Sequence, residues 1–212
     1  MMLRTALAPA LLALSLALPA AAELRVVDGD TLILDGTVIR LEGIDAPEAD
    51  QTCNGWACGK AATEELVEIT KGRDISCEGH GRDDFDRLIA TCRAGGVDIG
   101  ESLVDKGLAL AFRRYSDSYV EVEGRARAAR AGVWSGRFEA PWDFRARQWQ
   151  AAAQIAPEGC PIKGNISKNG HIYHMPWSRW YARTRIDTSK GERWFCDEVE
   201  AQAAGWRAPY GN

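Results

Sequence analysis

Apolar residues alternate with polar ones early in the chain and later recur at helical spacing. Leu24-Arg25-Val26-Val27, Thr31-Leu32-Ile33-Leu34 and the stretch Thr37 to Ile44 are rich in β-branched residues, with Asp28-Gly29 and Asp35-Gly36 between them. This pattern predicts strands over 24–34 and 37–44, joined by tight turns. Over 59–71, Ala62, Leu66 and Ile69 fall on one helical face and Gly72 follows, which predicts a helix with a glycine stop. Asp74 to Glu78 and Leu88 to Arg93 are two more predicted strands, separated by the acidic loop Asp83-Asp84-Phe85-Asp86-Arg87. Helices are predicted over 98–106, closed by Gly107, and over 118–131, closed by Gly132. The order strands, helix, strands, helix, helix predicts an α+β domain: a small five-stranded barrel with three helices packed on it.

Beyond residue 136 the pattern changes. Residues 137–159 are rich in Ala, Gln, Trp and Arg, broken by Pro141 and Pro157, and read as a helical or partly ordered connector. Residues 160–209 form a compact module with Trp177, Trp180, Trp194 and Trp206. Within it, Asp187 to Glu192 reads as a hairpin turn and Asp197 to Ala204 as a short helix ended by Gly205. At the other end, Arg4, the apolar run Leu7 to Leu18 and Ala20-Ala21-Ala22 have the form of a cleaved signal peptide over 1–22. An uncleaved anchor is the competing reading, and the run is too short to span a membrane as a helix. The expected arrangement is a leader at 1–22, a main domain at 23–136, the connector and the module. Its expected location is the periplasm or the exterior, without a transmembrane segment in the mature chain.

The six cysteines, Cys53, Cys58, Cys77, Cys92, Cys160 and Cys196, all follow the leader. An even count in an exported chain predicts three disulfides. Cys53 and Cys58 bracket a short loop, Cys77 and Cys92 face each other across a predicted hairpin, and Cys160 and Cys196 bracket the module. Zinc is the alternative, although no CxxC pair occurs and His80, His171 and His174 lack finger spacing. A staple of this kind would compensate for the small core of a module of this size.

The chain of 212 residues carries 26 Lys and Arg against 30 Asp and Glu, a formal net charge of −4. Residues 23–112 hold 9 basic against 19 acidic residues, while 113–147 hold 8 against 5. An acidic total argues against a protein that coats nucleic acid electrostatically. It does not argue against an enzyme that bridges one phosphate through a cation. Asp30 and Asp45 are hard oxygen ligands of the kind that Ca²⁺ accepts. Arg40 is a planar fork suited to phosphate, and Glu48 is a carboxylate able to handle a proton. Asp28 and Asp30 flank a glycine, so a plain turn is the other reading of that tetrad.

Val27-Asp28-Gly29-Asp30-Thr31, Arg40-Leu41 with Gly43-Ile44-Asp45-Ala46-Pro47-Glu48, and Asp83 to Arg87 resemble the signature blocks of the thermonuclease, or staphylococcal-nuclease-like, family. Gly107-Leu108-Ala109 and Arg113-Arg114-Tyr115 continue the match, which covers roughly 24–135. The resemblance implies an oligonucleotide-binding-type (OB-fold) barrel and Ca²⁺-dependent hydrolysis of DNA, RNA or both with little sequence preference. It implies that Asp30, Asp45 and the Ala46 carbonyl hold the metal, with Asp28 close by. Arg40 and Arg87 would then clamp phosphate, and Glu48 would act as general base. Where the family usually has Gly before the second arginine, this chain has Asp86, in a place that demands a positive φ.

Arg113, Arg114 and Tyr115 are candidates for stacking a base and touching phosphate; a buried aromatic beside surface arginines explains the same letters. The module resembles a short accessory domain of bacterial exported proteins. It is distantly similar to the small metal-binding domain of a DNA-repair methyltransferase, whose thiol ligands it does not match. His171 and His174 read as packing or hydrogen-bonding residues rather than ligands. A monomer is expected. Two other readings compete: a non-catalytic nucleic-acid-binding barrel, and an envelope-associated protein acting through its module. Retention of Arg40, Glu48 and Arg87 argues against the first.

Overall fold

The computed structural model describes residues 23–209, so the leader predicted at 1–22 lies outside the described residues. Strands β1 (Leu24–Val26), β2 (Thr31–Leu34) and β3 (Thr37–Leu41) form an antiparallel meander. The β2–β3 turn is Asp35-Gly36, both with positive φ (48° and 79°), the two-residue geometry that matches strand twist. β4 (Ile44–Asp45) leaves this sheet and pairs with β8 (Leu110–Ala111). Helix α1 (Cys58–Thr70) buries Ala62, Leu66 and Ile69 as their spacing predicts.

A long hairpin follows, β5 (Ile75–Arg82) and β6 (Leu88–Ala94). β6 lies parallel to β3, giving the order β1-β2-β3-β6-β5, with β7 (Val97–Asp98) added on β6. Two registers position what matters later. Thr31 faces Arg40 across β2–β3, which brings Asp30 beside that arginine, and Arg40 faces Ile89, which brings the 83–87 loop to the same end of the sheet. Helix α2 (Ile99–Asp105) is capped by Asp98, whose carboxylate accepts the Glu101 amide at 3.0 Å. Helix α3 (Val120–Ala128) completes the first unit, whose core includes Leu32, Ile39, Leu41, Leu66, Ile99 and Leu103.

The predicted connector is largely one ordered helix, α4 (Pro141–Ala153), with proline in its first turn. Trp142 stacks on Phe112 of the first unit at 5.8 Å, while Trp149 packs on the core of the C-terminal module. That module is a three-stranded sheet in the order β10-β9-β11, from β9 (Ile162–Ser167), β10 (Gly170–His174) and β11 (Arg193–Phe195), followed by α5 (Glu198–Ala203). The hairpin predicted at 187–192 is not one. Thr188–Lys190 is a single 3-10 turn closed by Gly191 at φ 84°, and it feeds β11 onto β9. The hairpin of this module is β9–β10, turning at Lys168-Asn169. Disulfides join Cys53 to Cys58, Cys77 to Cys92 and Cys160 to Cys196, leaving no free cysteine. Among the described residues no helix is long and apolar enough to cross a membrane.

Gly59, in the first turn of α1, lets that helix press against the chain at Glu48: a methyl there would overlap the Glu48 carbonyl oxygen. Gly59→Ala is therefore expected to cost ~1–3 kcal/mol, or about 3–10 °C in thermal unfolding, through forced displacement of backbone. An unchanged unfolding temperature would show that this contact yields freely.

Candidate active site

The turn before β2 and the strand β3 build one wall of the site. Asp30 accepts the Thr31 hydroxyl on one oxygen (3.1 Å) and the Ala46 amide on the other (2.7 Å), which also lies 2.9 Å from Arg40 Nη1. Arg40 Nη2 donates to Asp45 Oδ1 at 2.9 Å, so one guanidinium joins the two predicted metal ligands. Asp28 holds the turn by accepting the Asp30 amide at 3.1 Å. Burial, together with the neighbouring charge of Asp30, pushes the Asp28 carboxyl up to about 7. The turn reading and the site reading of this tetrad are thus both satisfied: Asp28 braces, while Asp30 faces the arginine.

The opposite wall comes from a residue no local pattern indicated. Arg145 of α4 donates to Asp45 through Nη2 (2.8 Å to Oδ2) and Nη1 (3.2 Å to Oδ1), and Nη1 also reaches Glu48 Oε1 at 2.9 Å. The Asp45 side chain is fully buried. Burial raises its pKa against the pull of Arg40 and Arg145. Glu48 is pushed up to about 8 by burial, with Arg145 opposing and Asp28 adding to the rise. Burial opposes the charge on Arg145 itself, yet its bonds to Asp45 and Glu48 outweigh that and hold its pKa above the ordinary value. The only sequence-level hint was the charge imbalance: an acid-rich first segment followed by an arginine-rich one.

Arg87 stands at the rim. Its Nε donates to Asp83 Oδ2 at 2.7 Å and its guanidinium lies over the Phe85 ring at 5.3 Å. Burial works against its charge, but Asp83 outweighs it, and the fields of Asp30 and Asp28 reach it from the site. Glu198 of α5 feels Arg87 as well: burial holds its carboxyl above the ordinary value, against a bond to Tyr173 and the charge of Arg87. Asp86 takes the positive φ (60°) where the family usually has glycine, and its carboxylate points outward to Arg82 at 3.3 Å rather than to Arg87.

Arg113, Arg114 and Tyr115 lie beyond β8, next to α4. Tyr115 is exposed, edge-on to Phe112 at 5.1 Å, with the Arg114 guanidinium 5.7 Å from its ring. Arg113 leans toward the buried Glu123 at 3.8 Å. The exposure of Tyr115 removes the buried-aromatic reading of that trio. In the module, His171 stacks on Trp206 at 4.5 Å and His174 is hydrogen-bonded to Asn165.

Among the described residues no three Asp, Glu, His or Cys side chains converge as a ready-made metal cage. Asp30, Asp45 and Glu48 are instead turned onto Arg40 and Arg145. The donor set nonetheless fits a hard divalent cation. Four carboxylates, Asp28, Asp30, Asp45 and Glu48, interact within one largely buried patch, and three of them are driven toward protonation by burial. Asp30 and Asp45, both beside Ala46, are the ligands that such an ion would take.

Residues 38–136 match the family model described as staphylococcal nuclease homologue, and 146–208 match one described as ArfC. The chain is 32% identical over 131 residues to the succinoglycan biosynthesis protein ExoI of Rhizobium meliloti, covering 57% of this chain and 68% of that one. The chain belongs to the staphylococcal nuclease family. Among relatives, an uncharacterized endonuclease of Escherichia coli is 29% identical, over 58% of this chain and 83% of its own. A probable staphylococcal-like nuclease of rice, CAN4, is 33% identical over 54% of this chain but only 23% of its own length. Arg40, Asp45, Glu48 and Arg87 fall inside the nuclease match. Arg145 falls between the two matched ranges.

The site makes stability depend on pH. Glu48 and Asp28 bind a proton more tightly when folded (about 8 and about 7) than at their ordinary values of 4.5 and 3.8. The folded state therefore holds extra protons between those values, and metal-free stability is expected to fall as pH rises through that window. Thermal unfolding in chelator over roughly pH 5 to 9 checks this. Glu48→Gln is expected to flatten the upper part of the decline, and an equally steep slope in the variant would remove Glu48 as its source.

Proposed function

We propose that the chain is an exported, Ca²⁺-dependent phosphodiesterase that hydrolyses DNA or RNA with low sequence specificity. The observation that carries this reading is the meeting of Asp30, Arg40, Asp45 and Glu48 in one buried cluster, from three separate stretches of chain. The mixed sheet with its separate β4–β8 ladder suits the five-stranded oligonucleotide-binding-type barrel of the family. Three disulfides and the apolar leader support export.

Hydrolysis of a phosphodiester adds negative charge to a group that already repels hydroxide. When bound by Asp30, Asp45 and the Ala46 carbonyl, Ca²⁺ would supply Lewis-acid neutralisation of a phosphate oxygen. The chain's own groups do the rest. Arg40 and Arg87 donate to the remaining oxygens as charge builds, and losing such a donor costs ~3–4 kcal/mol of transition-state stabilisation. Glu48 takes the proton of the attacking water, which requires its carboxylate form. Arg145 donates to Asp45 and Glu48, so it would compete with a cation held by Asp45 for that carboxylate. Tyr115 offers an exposed ring for an adjoining base.

Digestion of single-stranded and duplex DNA and RNA with Ca²⁺, then with chelator, tests the activity. Glu48→Gln is expected to slow cleavage by ~100- to 10,000-fold. Absence of Ca²⁺-dependent cleavage by the wild type would overturn the reading. Arg145→Ala should lower metal-free stability by ~3–5 kcal/mol, since it leaves buried carboxylates without their partner. Calorimetric titration should show it binding Ca²⁺ about tenfold more tightly, because one charge-assisted competitor is gone. Weaker Ca²⁺ binding would make Arg145 a support of the ligand arrangement instead.

A further inference from the structure

The C-terminal module holds a cavity of about 540 Å³ between β9, β10, the 180–185 segment and the stretch with Arg207 and Pro209, and the proposed nuclease chemistry leaves it unused. Asn165, His174, Trp180, Arg183, Arg185 and Arg207 contribute to its wall, which contains no acidic residue. Elsewhere in this part of the chain arginines are paired, as Arg147 with Glu139 and Arg193 with Glu200. Arg183, Arg185 and Arg207 have no carboxylate partner among the described residues; the Arg207 guanidinium donates only to carbonyls, those of Asn169 and Ala208. Lys163 adds a fourth positive charge close by, its Nζ held by the carbonyls of Tyr181 and Thr184 at 2.9 and 3.0 Å. Gathering like charges around a cavity without counter-charge is costly, and a bound anion removes the cost.

The wall also has an unfilled hydrogen-bonding position. His174 is 7% exposed, and its Nε2 is bonded to Asn165 Oδ1 at 2.9 Å. Its Nδ1 is buried without a partner among the described residues. Burial and then Lys163 push its pKa down to about 4, so the ring is neutral at ordinary pH and presents a polar atom rather than a charge. Trp180 supplies a flat apolar face, with Arg179 stacked 4.2 Å from its ring. Clustered cations, an aromatic face and neutral polar atoms are the elements that bind a nucleotide unit: phosphate to arginine, base to ring.

We propose that this cavity is a second nucleic-acid site, taking a backbone phosphate of a single strand on Arg183, Arg185 and Arg207 and an adjoining base against Trp180. The choice of a strand over another polyanion rests on the nuclease reading; the anion chemistry of the cavity does not. Because α4 packs on both units, a strand held here is tethered to the part of the chain that carries Asp45 and Glu48.

The test uses the full chain in chelator, so that nothing is cut, with a 5′-fluorescent single-stranded DNA read by anisotropy across a salt series. Wild type is compared with Arg183→Gln/Arg185→Gln, both exposed positions, with thermal unfolding confirming an intact fold. Loss of two phosphate contacts is expected to weaken binding about tenfold or more at low salt and to reduce the slope of log K against log salt by ~1.4. An unchanged affinity and slope would overturn the proposal, as would wild type that does not bind the strand. So would a sulfated polysaccharide that binds the wild type and is not displaced by the strand. Strand binding that is lost in the double variant, with no Ca²⁺-dependent cleavage by wild type, would sink the nuclease reading and leave this one standing.

Discussion

Asp45 is fully buried, and a carboxylate in that position can hold a charge only where that charge is met at once. Two arginines meet it: Arg40 from five residues away and Arg145 from a hundred. The rest of the arrangement follows from that requirement. Arg40 also holds Asp30 and so fixes the turn before β2 against the β4 segment. Arg145 also holds Glu48 and so fixes α4 across the mouth of the cluster. Burial raises Asp28, Asp45 and Glu48 first of all, their neighbouring carboxylates add to the rise, and the arginines oppose it.

The same electrostatic demand makes the two units of the chain one device. Helix α4 carries Trp142 against Phe112 on one side and Trp149 against the core of the module on the other, with Arg145 between them. The charge of Arg87 at the rim also acts on Glu198 of α5. Helix α4, which carries Arg145 to Asp45, is thus the same helix that packs against the module.

Much of this was legible locally. Asp35-Gly36 forms a turn with both residues at positive φ because Asp and Gly tolerate that conformation, and its neighbours alternate as strands should. Ala62, Leu66 and Ile69 bury together because their spacing puts them on one face. Asp86 takes the conformation expected of the family's glycine, and its extra charge is spent on Arg82 in solvent. Less legible was the stretch 187–192, where turn-forming residues suggested a hairpin. Such residues specify a turn but not which strands it joins, and β11 crossed to β9 instead. Helix α4 was obscured for a related reason: it packs on two units at once, so its apolar residues do not lie on a single stripe.

The sequence by itself determined the reactive letters and their short-range geometry: Asp30, Arg40, Asp45 and Glu48, the turns that present them, and the close pair Cys53 and Cys58. These depend on backbone preference and on neighbours a few residues away. Tertiary structure alone decided that Arg145 closes the cluster, and that Arg183, Arg185 and Arg207, without a carboxylate partner among the described residues, converge on one cavity. Charge has no periodicity and acts through space. A carboxylate and a guanidinium a hundred residues apart become partners only when packing brings them within 3 Å, and no local pattern encodes that meeting.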